Sequence, residues 1–226
     1  MNPVDLSVYG IIDPAVTGRD DMPDRVKAAL GDGLTLLQYR DKTGGTAEMI
    51  AAARRLKQVL SDSPVPLLIN DRVDVAMAAG ADGVHIGQTD MTPQDARNLL
   101  GPSATIGLTI KTAEDVDRAP LDLIDYACIG GVFVTSSKDN PSPPVGLDGL
   151  QAMAERLRAR GARFPIGAIA GINAGNAGSV MAAGADGVAV ISALFAADDI
   201  AAAARDLATA VASGRRNGVD TDEVGA

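Results

Sequence analysis

Three polar side chains, Gln38, Arg40 and Lys42, occupy every second position of the stretch QYRDK, which follows the apolar run LTLL. Residues two apart on a strand share a face. All three are therefore expected to project together, with Tyr39 and Asp41 on the opposite side. An arginine and a lysine on one face offer a fixed and a mobile positive charge to phosphate oxygens. Similar groups end or follow the other apolar runs. Asn70 and Asp71 close PLLIND, Gln88 and Asp90 follow GVHIG, and Thr109 and Lys111 close TIGLTIK. Thr135, Ser136, Ser137 and Lys138 follow YACIGGVFV, Gly171 follows PIGAIA, and Ile191–Ser192 end GVAVIS. Asp71 and Asp90 are hard oxygen ligands, and two carboxylates completed by substrate phosphate and water are the usual way of holding Mg2+. Each also precedes an expected helix, where a negative charge is favoured for structural reasons alone.

What must bring these groups together is a repeating strand and helix pattern. Strands are expected at 8–12, 35–39, 66–70, 83–87, 105–109, 126–130, 165–170 and 187–192, with amphipathic segments at 22–30, 46–60, 72–79, 92–100, 112–119, 148–160, 175–183 and 199–212. Eight strands each followed by a helix predict an α/β fold with a parallel sheet closed as a (β/α)8 TIM barrel. Near-continuous apolar runs suit strands buried on both faces. In such a barrel, active sites lie at the C-terminal ends of the strands, which is where every group named above falls. The octapeptide MAAGADGV occurs at 77–84 and again at 181–188. That spacing corresponds to four strand–helix units, half a barrel, although AGADGV also serves as a good helix-to-strand turn wherever it occurs. A doubly wound open sheet is the runner-up, but no G-x-G-x-x-G follows the first strand. The barrel is expected to span 1–212, with a mobile tail at 213–226. The proline-bearing stretch 131–147 is the one long connection, of a length that is usually functional or disordered.

Composition narrows the partners. The net charge of −9 argues against a nucleic-acid surface, which needs a broad basic face. The absence of Trp, with only three Tyr and three Phe, argues against aromatic stacking platforms. Small phosphorylated ligands remain suitable where a few cations converge. The N-terminus lacks the basic and apolar regions of a signal peptide, and no apolar run is long enough to span a membrane. A cytoplasmic location is therefore expected, and homo-oligomerisation is left open. Cys128, the only cysteine, reads as a buried core side chain. His85, the only histidine, falls in the middle of a strand and reads as an interior, hydrogen-bonded group rather than a catalytic one. Without a second histidine, a Ser–His–Asp hydrolase is disfavoured.

The motifs QYRDK, NDRVDVA, ADGVHIGQTD, GLT, TSSKD, AGI and VIS, in that order, resemble the thiamine-phosphate synthase family over nearly the whole barrel. That family joins 4-amino-5-hydroxymethyl-2-methylpyrimidine diphosphate to a thiazole phosphate, releases pyrophosphate and uses Mg2+. The resemblance implies that Gln38 contacts the aminopyrimidine. It implies that Arg40, Lys42, Asn70 and Lys138 hold the diphosphate beside Thr109, with Arg40, Lys42 and Lys138 assisting its departure. Asp71 and Asp90 would bind Mg2+, and Thr135, Ser137, Gly171, Ile191 and Ser192 would hold the thiazole phosphate.

This sequence departs from the family pattern at several of these places. Gly131 and Val134 stand where prolines are common, and Ser137 replaces a threonine. Thr109 stands where serine is common, Lys111 where histidine is frequent, and Ala170 where a glycine is usual. Two other readings are weighed against the synthase. A thiazole tautomerase on the same barrel would need a proton shuttle, which its relatives place at the position of Lys111. A non-catalytic thiazole-phosphate sensor would not need Asp71.

Overall fold

In the computed structural model, eight parallel strands close into one barrel in chain order, from β1 to β8. The structure describes residues 4–135 and 143–219, with side chains through Arg215. The strands are β1 Val8–Ile12, β2 Leu36–Tyr39, β3 Leu67–Asn70, β4 Gly83–Ile86, β5 Thr105–Ile110, β6 Tyr126–Ile129, β7 Ile166–Ile169 and β8 Gly187–Val190. Closure is made by β1 against β8, with Tyr9 opposite Ala189. The helices that return the chain are α2 Met22–Ala29, α3 Thr46–Val59, α4 Val73–Ala79, α5 Pro93–Leu100, α6 Ala113–Arg118, α7 Gly146–Arg160, α8 Ala174–Ala182 and α10 Ile200–Val219. Two one-turn helices, α1 Pro14–Thr17 and α9 Ser192–Phe195, follow β1 and β8 directly.

Strand alternation divides the core into two layers. On β1, Val8 and Ile12 point out to the helices, whereas Tyr9 and Ile11 point into the barrel. Leu37 and Tyr39 go outward from β2, and Leu36 goes inward. Because both faces are buried, these strands are apolar at nearly every position. The inner layer also holds Leu68, Tyr126, Cys128 and Ala189. Room for the Tyr126 ring comes from the neighbouring strand, since a Cβ at Gly107 would overlap that ring. Cys128 is buried, as expected of it.

The last helix differs from the sequence expectation. It runs through Ser213 to Val219 rather than ending at 212. Gly214 explains the continuation, because it packs so closely on α8 that a Cβ there would lie 2.7 Å from the Gly178 carbonyl oxygen and the Met181 Cβ. This packing depends on a missing side chain, so it leaves no apolar period to read. Among the described residues no helix is long and apolar enough to cross a membrane.

Candidate active site

A cavity of about 490 Å3 opens at the C-terminal ends of the strands. Gln38, Arg40 and Lys42 all line it, from the end of β2. They are graded in depth: Gln38 is 2% exposed, and the side chains of Arg40 and Lys42 are 14% and 52% exposed. The alternate residues turn away. Tyr39 donates to Asp41 Oδ2 at 2.9 Å, and Arg19 reaches both, at 2.9 Å from the Tyr39 hydroxyl and 2.7 Å from Asp41. Burial alone would raise the Asp41 carboxyl. The Thr43 and Gly44 N–H groups, the Tyr39 hydroxyl and Arg19 outweigh it and hold that carboxyl at about 2. This outer network anchors the odd residues of QYRDK and so fixes the even ones toward the cavity.

Arg40 has a partner that the sequence reading missed. Its guanidinium pairs with Asp13 Oδ2, on a residue only 3% exposed. The other oxygen of Asp13 accepts from Ala15 N at 2.9 Å and caps α1. The available signal was an aspartate immediately after the first strand, on the same rim as the other polar groups.

Asn70 and Asp71 line the cavity from the end of β3, and Asp90 from the loop after β4. Asp71 takes a left-handed backbone, φ 61°, and its N–H donates to the His85 carbonyl at 2.8 Å. Lys42 Nζ pairs with Asp71 Oδ2. Asp90 Oδ2 accepts from Gly87 N at 2.7 Å. Burial first, and then the adjacent Asp71 carboxylate, push the Asp90 carboxyl above its ordinary range, against the opposing pull of the Gly87 N–H. Two carboxylates close enough to oppose each other's ionisation, with a lysine already drawn in, form a place that favours a cation. Among the described residues no third carboxylate, histidine or cysteine joins them. A two-carboxylate set completed by phosphate and water suits Mg2+.

The remaining strand ends complete the wall. Thr109 and Lys111 come from β5, Thr135 from the segment after β6, Gly171 from β7, and Ile191 and Ser192 from β8. Thr135 is brought in because the segment after β6 is tied to the end of β7. Val132 N donates to the Ile169 carbonyl at 3.1 Å and Phe133 N to the Ala170 carbonyl at 3.0 Å. Gly171 has φ 66°, and a Cβ there would overlap the Val134 carbonyl oxygen. Ile191 is the N-cap of α9, so Ser192 begins a helical turn whose first N–H groups have no partner within the helix. Ser136, Ser137 and Lys138 lie outside the described residues. Each other residue expected in the site faces this single cavity. His85 lines it as well, hydrogen-bonded on both ring nitrogens.

Comparison with known proteins decides the family. A family model described as thiamine monophosphate synthase matches residues 8–194. The chain belongs to the thiamine monophosphate synthase family. Among curated members of that family, the thiamine-phosphate synthase of Agrobacterium fabrum is 49% identical over 211 residues, covering 93% of this chain and 96% of the relative. The thiamine-phosphate synthase of Chloroflexus aurantiacus is 42% identical, covering 90% of this chain and 92% of the relative. The solved thiamine phosphate pyrophosphorylase from Pyrococcus furiosus superposes with a TM-score of 0.81 at 33% identity, over 94% of this chain and 98% of that one. The family match thus spans every strand of the barrel and every residue that lines this cavity.

Proposed function

We propose that this member of the family joins 4-amino-5-hydroxymethyl-2-methylpyrimidine diphosphate to 4-methyl-5-(2-phosphooxyethyl)thiazole or its carboxylated form, giving thiamine phosphate and pyrophosphate. One observation carries the reading: a set of cations, an amide and two carboxylates faces a set of backbone and hydroxyl groups across the same cavity, and the two suit a metal-bridged diphosphate and a second phosphate. Arg40, Lys42, Asn70, Asp71 and Asp90 come from β2, β3 and the loop after β4, whereas Gly171, Ile191 and Ser192 come from β7 and β8 on the other side of the barrel. Gln38 sits at the floor between them, 2% exposed. This arrangement supports a reading in which one cavity takes a diphosphate end, a ring and a second phosphate.

Reaction requires the C–O bond to the diphosphate to break, so negative charge builds on the departing oxygens. Arg40 and Lys42 stand preplaced to stabilise that charge, which costs no reorganisation at the moment of reaction. Asp71 and Asp90 would hold Mg2+, which when bound neutralises further charge on phosphate oxygens. The electron-rich aminopyrimidine spreads the positive charge left on its methylene carbon, and the thiazole nitrogen attacks that carbon. No proton has to be moved in the bond-forming step, which fits a cavity whose one histidine is engaged on both nitrogens. Holding both reactants in place can contribute several kcal/mol, up to about 7–11 in the best oriented systems.

The test is release of pyrophosphate with both substrates and Mg2+, the coupled product identified by mass. Chelation should stop it. Lys42→Ala should lower kcat/KM by about a hundredfold or more, with melting shifted only slightly because the side chain is half exposed. Turnover that is unaffected by both chelator and this substitution would remove the reading. Proton exchange into the thiazole without any pyrimidine would favour the tautomerase instead.

A further inference from the structure

Inside the barrel, five polar side chains form one continuous hydrogen-bonded chain. Gln38 Nε2 donates to the Tyr9 hydroxyl. The Tyr9 and Tyr126 hydroxyls are 2.8 Å apart, Tyr126 is 2.8 Å from His85 Nδ1, and His85 Nε2 is 2.8 Å from Thr109 Oγ1. The two ends face the cavity, at Gln38 on the floor and at Thr109 on β5. The middle is wholly buried, with Tyr126 at 0% exposure.

Counting hydrogens gives this chain a direction. A phenol has one hydrogen to donate, and burial pushes both tyrosines well above their ordinary titration range, so both remain phenols. Tyr9 accepts from Gln38, and among the described residues its hydroxyl bonds otherwise only to Tyr126. Its hydrogen therefore goes to Tyr126. Tyr126 then donates to His85 Nδ1, and the imidazole proton sits on Nε2 and goes to Thr109. With the Gln38 amide nitrogen toward Tyr9, any other arrangement leaves a buried phenol hydrogen without an acceptor, which is costly. The hydrogen of Thr109 is left to point toward the cavity.

We propose that this chain is a directed relay, coupling recognition of the diphosphate at Thr109 to recognition of the pyrimidine ring at Gln38. The proposal rests on the synthase reading. An anion beside Thr109 accepts the threonine hydrogen, and that is compatible with one polarity only. In that polarity Gln38 offers Oε1 and its second amide hydrogen to the cavity, an acceptor beside a donor. An aminopyrimidine presents the matching edge, an amino donor beside a ring-nitrogen acceptor. The deaminated ring presents the reverse, a carbonyl beside a ring N–H, and would need the amide flipped. Flipping it reverses every bond of the relay and turns the Thr109 hydrogen inward to His85, away from the anion. Tyr9, Tyr126 and His85 are thus positioning residues that act through Gln38 and Thr109.

His85 is the only histidine in the chain, so 15N-histidine labelling gives a single imidazole spectrum. The expected spectrum has a pyridine-type Nδ1 and a pyrrole-type Nε2, unchanged by pyrophosphate with Mg2+. A protonated Nδ1 in either state overturns the relay. In binding measurements, the wild type should prefer 4-amino-5-hydroxymethyl-2-methylpyrimidine over its 4-oxo analogue by about tenfold or more, the scale of one mismatched hydrogen bond. Pyrophosphate should widen that preference. Tyr126→Phe removes the central hydroxyl and should abolish the widening, with Tyr9→Phe as the second cut if the first variant does not fold. Persistence of the pyrophosphate effect in a folded variant overturns the proposal. The synthase reading is judged separately, by wild-type turnover: no turnover together with the expected His85 spectrum would remove that reading while supporting the relay's direction.

Discussion

Arg40 carries two loads at once, and they can be separated by substitution. It faces the cavity, and it neutralises Asp13, a carboxylate 3% exposed. Removing one partner of a buried ion pair typically costs about 3–5 kcal/mol, because the other charge is stranded. Arg40→Ala should therefore lose both turnover and stability. Adding Asp13→Asn should restore much of the stability and none of the turnover, as read by denaturant unfolding beside kcat/KM. Recovery of both together would mean that Arg40 acts only as a structural group. Asp41, the residue after Arg40 and part of the outer network, makes a pH prediction. Its folded-state carboxyl sits at about 2, below the ordinary aspartate value. Such a group stabilises the fold fully above its unfolded pKa, and the contribution fades as pH falls through the window toward the folded value. The gap in unfolding free energy between wild type and Asp41→Asn should be about 2 kcal/mol larger at neutral pH than near about pH 2. A gap that stays constant with pH would show that packing, not charge, holds Asp41.

At the scale of elements, strain sits where β7 ends. Ala170 has φ 95° and Asp71 has φ 61°, the two described non-glycine residues with positive φ. Left-handed backbone costs an L residue about 1–3 kcal/mol. For Ala170 no side-chain interaction offsets it, so Ala170→Gly should raise stability by about 1 kcal/mol net of the extra chain entropy of glycine. In melting temperature that is about 2–4 °C for a domain of this size, and an unchanged or lower melting point would mean that the strain is relieved by its surroundings. The sequence showed that Ala170 departs from the family glycine, but not that the backbone there turns left-handed, because φ is set by the tie between the Ala170 carbonyl and Phe133 N. The same distinction runs through the fold. The eight strands stand within one or two residues of where their apolar runs placed them, because strands buried on both faces leave a continuous trace. One-turn helices such as α1 and α9 leave none, being shorter than any period that could announce them. QYRDK was legible because alternation is local. The pairing of Arg40 with Asp13 and the relay through Tyr9, Tyr126 and His85 were not, because each joins residues that only barrel closure brings together.

The whole barrel shows a regularity at the end opposite the cavity, where conserving a fold is a matter of stability rather than chemistry. The residue just ahead of each even strand accepts, through its side chain, an N–H near the start of the preceding odd strand. Thr35 accepts from Val8 at 3.1 Å, Asp82 from Leu67 at 2.7 Å, Asp125 from Ile106 at 2.7 Å and Asp186 from Ile166 at 2.8 Å. The three aspartates are each met by a cation from the helix that leads into the odd strand: Lys57 of α3 at 2.6 Å, Arg97 of α5 at 2.9 Å and Arg158 of α7 at 2.9 Å. Asp82 and Asp186 fall in the two copies of MAAGADGV, so the half-barrel repeat in the sequence is the visible part of a pattern that recurs at every quarter. Each clamp staples two strands at the base, where no active-site group competes for them. Asp125→Ala should strand the Ile106 N–H and one bond of Arg97, costing about 2–3 kcal/mol and lowering the melting temperature by about 4–12 °C. Thr35→Val, which removes an uncharged acceptor, should cost less. At a temperature where the Asp125 variant is fully folded, kcat/KM should match the wild type, since the side chain lies outside the cavity lining, before the start of β6. A loss of turnover in the folded variant would mean that the base of the barrel sets the geometry of its mouth, and that Arg40, Lys42 and their neighbours are not held in place by the rim networks alone.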